Sequence, residues 1–104
     1  IIISLQCKYM EHIRFAWDKE KNIANQKKHG ISFEEAQSVF VDENAQMIHD
    51  PDHSSDEDRF ILLGLSASIR LMVVCHCYRD NEGVIRIISA RKATRAEQKR
   101  YWER

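Results

Sequence analysis

Phe60-Ile61-Leu62-Leu63-Gly64-Leu65, then Leu71-Met72-Val73-Val74-Cys75-His76-Cys77-Tyr78, then Val84-Ile85-Arg86-Ile87-Ile88-Ser89-Ala90: these three runs decide the fold. Each is short, rich in aliphatic and β-branched residues, and bounded by polar or turn-forming residues, which reads as strand rather than helix. The connections, 64–70 and Arg79-Asp80-Asn81-Glu82-Gly83, are short enough for hairpin turns, so the runs form an antiparallel meander. Working outward, 45–50 reads as a further strand. A polar loop, Asp50-Pro51-Asp52-His53-Ser54-Ser55-Asp56, then separates it from the meander around the sole proline.

Helical signals lie on either side of this block. Residues 13–17 alternate as a first strand, and Asp18 is suited to cap a helix over about 19–29 that ends at Gly30. Ile23 and Ala24 are that helix's firm apolar positions, and its lysines point outward. Ser32 with Glu35 reads as a capping box opening a second helix, whose Phe33, Ala36, Val39 and Phe40 fall at helical spacing. Thr94 with Glu97 forms a second such box, launching a C-terminal helix with Gln98, Tyr101 and Trp102 on one face. The order β-α-α-β-β-β-β-α predicts an α+β domain, with two N-terminal helices packed on a mostly antiparallel sheet and a C-terminal helix. The other sheet face is expected to be open and to carry function with its bordering loops.

A chain of 104 residues, 43% hydrophobic and 31% charged, suits one compact domain. Patterning starts at Ile13, so residues 1–9 read as a leader or non-native extension, expected to be poorly ordered. Residues 10–104 then form the single domain. No apolar run is long enough to span a membrane, and the N-terminal isoleucines lack the flanks of a signal peptide. The three cysteines read as reduced thiols in a cytoplasmic protein. Cys75 and Cys77 share one strand face and His76 takes the other, so a metal site there is disfavoured and none is expected.

The formal net charge is zero, but it is unevenly spread. Residues 29–58 hold nine carboxylates and no Lys or Arg, while residues 59–104 hold ten Lys or Arg against four carboxylates. This pattern suggests a basic surface for a polyanion and an acidic surface for a basic partner.

Several segments together resemble one family. Trp17-Asp18 with Lys28-His29-Gly30, Asp50-Pro51 followed by Arg59-Phe60-Ile61-Leu62-Leu63-Gly64, and Arg86-Ile87-Ile88-Ser89-Ala90-Arg91 with Glu97 and Tyr101 are similar, in order, to the BrnT toxins of type II toxin-antitoxin systems. The resemblance implies a RelE-like fold and ribonuclease activity that inhibits translation. It also implies neutralisation by a BrnA-like antitoxin.

Metal-free RNA cleavage needs a base for the ribose 2′-OH, cations to hold the phosphate, and an acid for the leaving oxygen. Arginine suits the middle role through its planar, permanently charged fork. Arg91 and Arg59 are the preferred phosphate contacts, and His29 and His76 are the preferred proton-transfer groups. Lys28, Arg86, Lys92 and Tyr101 are candidates for substrate binding. On regular alternation Arg86 and Arg91 lie on opposite strand faces, so only one can face substrate squarely, and Arg91 is preferred. No cofactor is expected; RNA and the antitoxin are the partners. Two other classes stay open: a non-catalytic RNA-binding or regulatory module using Tyr101 or Trp102 for stacking, and a metalloenzyme built on Cys75, Cys77 and a histidine.

Overall fold

The computed structural model describes residues 13–49, 59–79 and 83–103, apart from the side chains of His49 and Arg79. The leader expected at residues 1–9 lies outside them. The chain runs β1 (Arg14–Ala16), α1 (Lys19–His29) and α2 (Phe33–Gln37), which tightens into a 3-10 turn (Ser38–Val41). It continues through β2 (Gln46–His49), β3 (Arg59–Leu65), β4 (Leu71–Arg79), β5 (Val84–Lys92) and α3 (Arg95–Trp102). The five strands form one sheet in the order β1-β5-β4-β3-β2. Strands β2 to β5 form the expected antiparallel meander, and β1 joins the far edge parallel to β5.

One face of the sheet is covered by α1 and α2. Ile31, Phe33, Ala36, Val39 and Phe40 interlock there with Leu62, Met72, Val74, Ile85, Ile87 and Ala90. Gly64 permits the close approach of this layer, because a Cβ on it would lie 2.9 Å from Ala45 Cβ, Asp42 Oδ2 and Val39 Cγ1. Gly30 ends α1 at φ 70, the left-handed conformation that lacks a steric penalty only in glycine.

The first helix docks differently from the sequence-based expectation. Ile23 and Ala24 face solvent, and the buried positions are Asn22 and Asn25. The reason lies in the sheet edge. β1 pairs only with residues 84–86, so the outer edge of β5 beyond Arg86 has lost its neighbour. Asn25 substitutes for one: its Nδ2 donates to Ala90 O at 2.8 Å and its Oδ1 accepts from Ala90 N at 3.1 Å. The same Nδ2 also donates to Ile31 O, while Asn22 Oδ1 accepts from Phe33 N. An amide side chain thus satisfies buried backbone groups that a strand would otherwise satisfy.

The opposite face is not wholly open. Tyr101 of α3 packs over Leu63, Val73 and Ala93 at one end of it. Its hydroxyl donates to Asp42 Oδ2 at 2.7 Å, and that same oxygen accepts from Leu65 N at 2.9 Å. Asp42 therefore ties together α3, the helical layer and the end of β3 that extends past its pairing with β2.

Candidate nucleic-acid interface on the open sheet face

The decisive local feature is a β-bulge. On β5, Ser89 stands opposite Cys75 and Ile87 opposite His76, which leaves Ile88 as the extra residue. The inward phase therefore shifts from Ile85 and Ile87 to Ala90, and all three enter the helix-covered core. The shift also corrects the expectation for the arginines. Arg86 pairs with Cys77 and Arg91 with Val73, and Cys77 and Val73 share one face of β4. Arg86 and Arg91 thus lie on the same face, the one the N-terminal helices leave uncovered.

Arg59 belongs to it as well. It pairs with Cys77 from the other side, so Arg59, Cys77 and Arg86 form one row across β3, β4 and β5. Two strand spacings put the outer Cα atoms roughly 10 Å apart, within reach of two long guanidinium side chains converging on one phosphate. Both arginines are half-buried, and neither is ion-paired among the described residues. Four residues along β4, roughly 13 Å away, Arg91 stands at the border with α3. Ile61, Cys75 and Ser89 lie in the row between, half-buried or exposed.

Arg91 is held rather than loose. Its Nη1 donates to Glu97 Oε1 at 2.8 Å and its Nη2 to Glu97 Oε2 at 2.9 Å. Glu97 also completes the capping box, accepting from Thr94 N while Thr94 Oγ1 accepts from Glu97 N. The Arg91 guanidinium, opposed by partial burial and aided by Thr94, holds the Glu97 carboxyl well below the usual range, at about 2. Arg91 is thereby fixed in place, and an incoming phosphate would have to share it with Glu97.

Neither candidate histidine nor Lys28 is on this face, and Tyr101 covers one end of it. His76 is fully buried on the helix-covered side, ringed by Phe40, Phe60 and Tyr78. Its Nδ1 must donate to the Val74 carbonyl, 3.2 Å away, which leaves Nε2 without a partner among the described residues. Burial pushes its pKa down to about 4, only partly opposed by that hydrogen bond. His29 and Lys28 close α1 in the helical layer. Tyr101 is buried with its hydroxyl on Asp42, and Lys92 is exposed where β5 meets α3. The open face therefore gathers Arg59, Arg86 and Arg91 but neither histidine nor Lys28. Two features escaped sequence reasoning. The bulge had a signal, because the apolar residues of β5 change from odd positions (85, 87) to even ones (88, 90). The double role of Glu97, in helix cap and arginine clamp, had none beyond the capping box.

The expected acidic surface is also reshaped. Glu34 accepts from Asn22, Glu35 is engaged by Arg70 and Ser66, and Asp42 by Leu65, Asn44 and Tyr101. These carboxylates serve internal bonds, and residues 50–58 lie outside the described set. Ser32 still caps α2 through Glu35 N, but the Glu35 side chain goes to Arg70 and Ser66 rather than closing the box.

A helix-backed sheet with three arginines on the face that α1 and α2 leave uncovered defines a class of small α+β domain suited to a polyanion. Residues 17–97 match the family model described as ribonuclease toxin, BrnT, of type II toxin-antitoxin system, and the chain belongs to this family. Among solved structures it is similar to the 1.1 Å crystal structure of the Brucella abortus ribonuclease toxin BrnT. The TM-score is 0.61 at 20% identity, covering 80% of this chain and 99% of that one, a likeness of fold. No curated protein matches. No helix among the described residues is long and apolar enough to cross a membrane.

Proposed function

We propose that this chain is the toxin of a type II toxin-antitoxin pair, an endoribonuclease that cuts RNA through the ribose 2′-OH and so inhibits translation in the cytoplasm. In this reading the fold is a RelE-like variant and the cognate antitoxin is BrnA-like. The observation that carries the proposal is the placing of Arg59, Arg86 and Arg91 on the sheet face that α1 and α2 leave uncovered, with the bulge at Ile88 bringing Arg91 to the side of Arg86. Arg59 and Arg86 hold the scissile phosphate, and the fixed Arg91 engages a neighbouring one. Charge building on the phosphate is met by guanidinium groups already in place, so little reorganisation is needed as the reaction proceeds. Metal-independent cleavage fits the use made of Asp42, Glu35 and Glu97, whose carboxylates are engaged by backbone, hydroxyl and arginine groups.

The test is cleavage of RNA by the purified chain in EDTA. Products should carry 2′,3′-cyclic or 3′ phosphate ends, and RNA with a 2′-O-methyl at the scissile ribose should stay intact. Cutting only with added magnesium, or equal cutting of the methylated RNA, would contradict the mechanism. A second reading, an RNA-binding module without catalysis, is favoured by one observation: neither candidate histidine reaches the arginine face. It predicts a gel shift with the RNA left whole.

A further inference from the structure

At the end of the sheet where the β3–β4 turn meets α3, a groove of about 370 Å³ opens to solvent. Leu65, Leu71 and Ala93 line it, with Ile69, Lys92 and Trp102 among the residues around them. Two large apolar side chains here are left in water: Ile69 is 80% exposed and Trp102 61%. Ile69 also has φ 59, in the left-handed region that β-branched residues avoid. The turn itself is firmly built, with Ile69 N donating to Ser66 O at 2.9 Å, Ser66 N to Arg70 O at 3.0 Å, and Ser66 Oγ to Glu35 Oε2 at 2.7 Å. Glycine or asparagine would hold this backbone with less strain. An isoleucine that is strained and also largely unburied gains nothing from the fold, which is the signature of a side chain kept for an external contact.

The charge around the groove points to the occupant. Lys92 and Arg95 are exposed and not ion-paired among the described residues, and Arg95 shares a helix face with Gln98 and Trp102. The nearby Glu35 is already engaged by Arg70. We infer that this groove is the docking site for a segment of the antitoxin that carries aliphatic or aromatic anchors flanked by carboxylates. The anchors pack against Ile69, Trp102 and the groove floor, and the carboxylates meet Lys92 and Arg95. The inference rests on the reading of the chain as a type II toxin. It puts the partner on a basic, apolar surface rather than on the acidic stretch of the sequence.

The experiment measures binding of the antitoxin protein encoded beside this chain, together with RNA cleavage by the free chain. Ile69→Asn should weaken antitoxin binding by about 30-fold, leave RNA cleavage unchanged, and keep or raise the melting temperature because the left-handed residue is relieved. Ile69→Gly should behave alike, and Lys92→Glu should weaken binding about 10-fold and flatten its salt dependence. Unchanged antitoxin affinity in both Ile69 variants overturns the inference. So does a loss of RNA cleavage in Ile69→Asn or Trp102→Ala with antitoxin affinity intact, which would assign the groove to RNA. If the unaltered chain binds the antitoxin but cuts no RNA, the nuclease reading fails while the docking site stands. If it cuts RNA but does not bind the antitoxin, the docking site alone fails.

Discussion

The two faces of the sheet are made from the same strands but solve different problems. The helix-covered face is mainly hydrocarbon from Phe33 to Ala90, with His76 as a fully buried titratable member among the described residues. The other face is apolar only where Tyr101 covers it, and beyond that it turns to arginine, cysteine and serine. The first face holds stability and the second is free to hold charge. On this division, substitutions should separate cleanly into those that unfold the chain and those that disarm it.

The largest effect should come from the covered face. Phe33→Ala removes a fully buried ring, at a cost of about 3–5 kcal/mol, a large part of the stability of a domain this size. Urea unfolding reads it directly, and a loss below 1 kcal/mol would break the division. Next is acid. His76 is neutral when folded, with its pKa held at about 4 against 6.5 in the unfolded chain, so the unfolded state binds the extra proton first. Its contribution is complete above pH 6.5 and declines as pH falls toward 4, by about 3 kcal/mol in total. His76→Phe should flatten that limb of the stability curve.

On the open face, Arg86→Ala should cut the cleavage rate by about 100-fold, near 2.7 kcal/mol, with no change in melting temperature. Arg86→Lys should rescue only part of this, because the charge survives without the fork. If Arg91→Ala is severe and Arg86→Ala mild, the arginine roles assigned from the bulge are reversed. The smallest effect sits at the border. Glu97→Gln weakens both the cap and the arginine clamp, yet the pair is partly exposed, so about 1 kcal/mol is expected. That increment should itself fade as pH drops from 4.5 toward 2, because the low-lying carboxylate is stabilising only while ionised. The gap in melting temperature between the parent chain and Glu97→Gln should narrow as pH falls from 4.5 toward 2, and a gap that stays constant or widens would contradict the sign.

Most of the element order was legible in the residues, because strand runs, caps and Gly30 report on local backbone preference. What could not be read were features set by neighbours distant in sequence. Ile23 looks like a core residue, and it is Asn25 that is buried, because Ala90, 65 residues away, needs an amide partner. Glu35 looks like half of a capping box and becomes the anchor of Arg70. For the site, residue types were readable and their facing was not. Arg59 and Arg86 share a row on the arginine face, Arg91 joins Arg86 there through one extra residue in β5, and His76 is drawn to the core by the same alternation that sends Cys77 the other way.

The asparagine at the edge of β5 has a consequence for how the chain behaves in company. A sheet edge with unpaired amides can recruit any passing extended chain, its own copies included. Here that vacancy is closed from within by a single side chain, at the position where β1 has run out. Asn25 is thus as much a guard against self-association as a helix anchor, and its loss would be felt first at high protein concentration, as turbidity rather than unfolding.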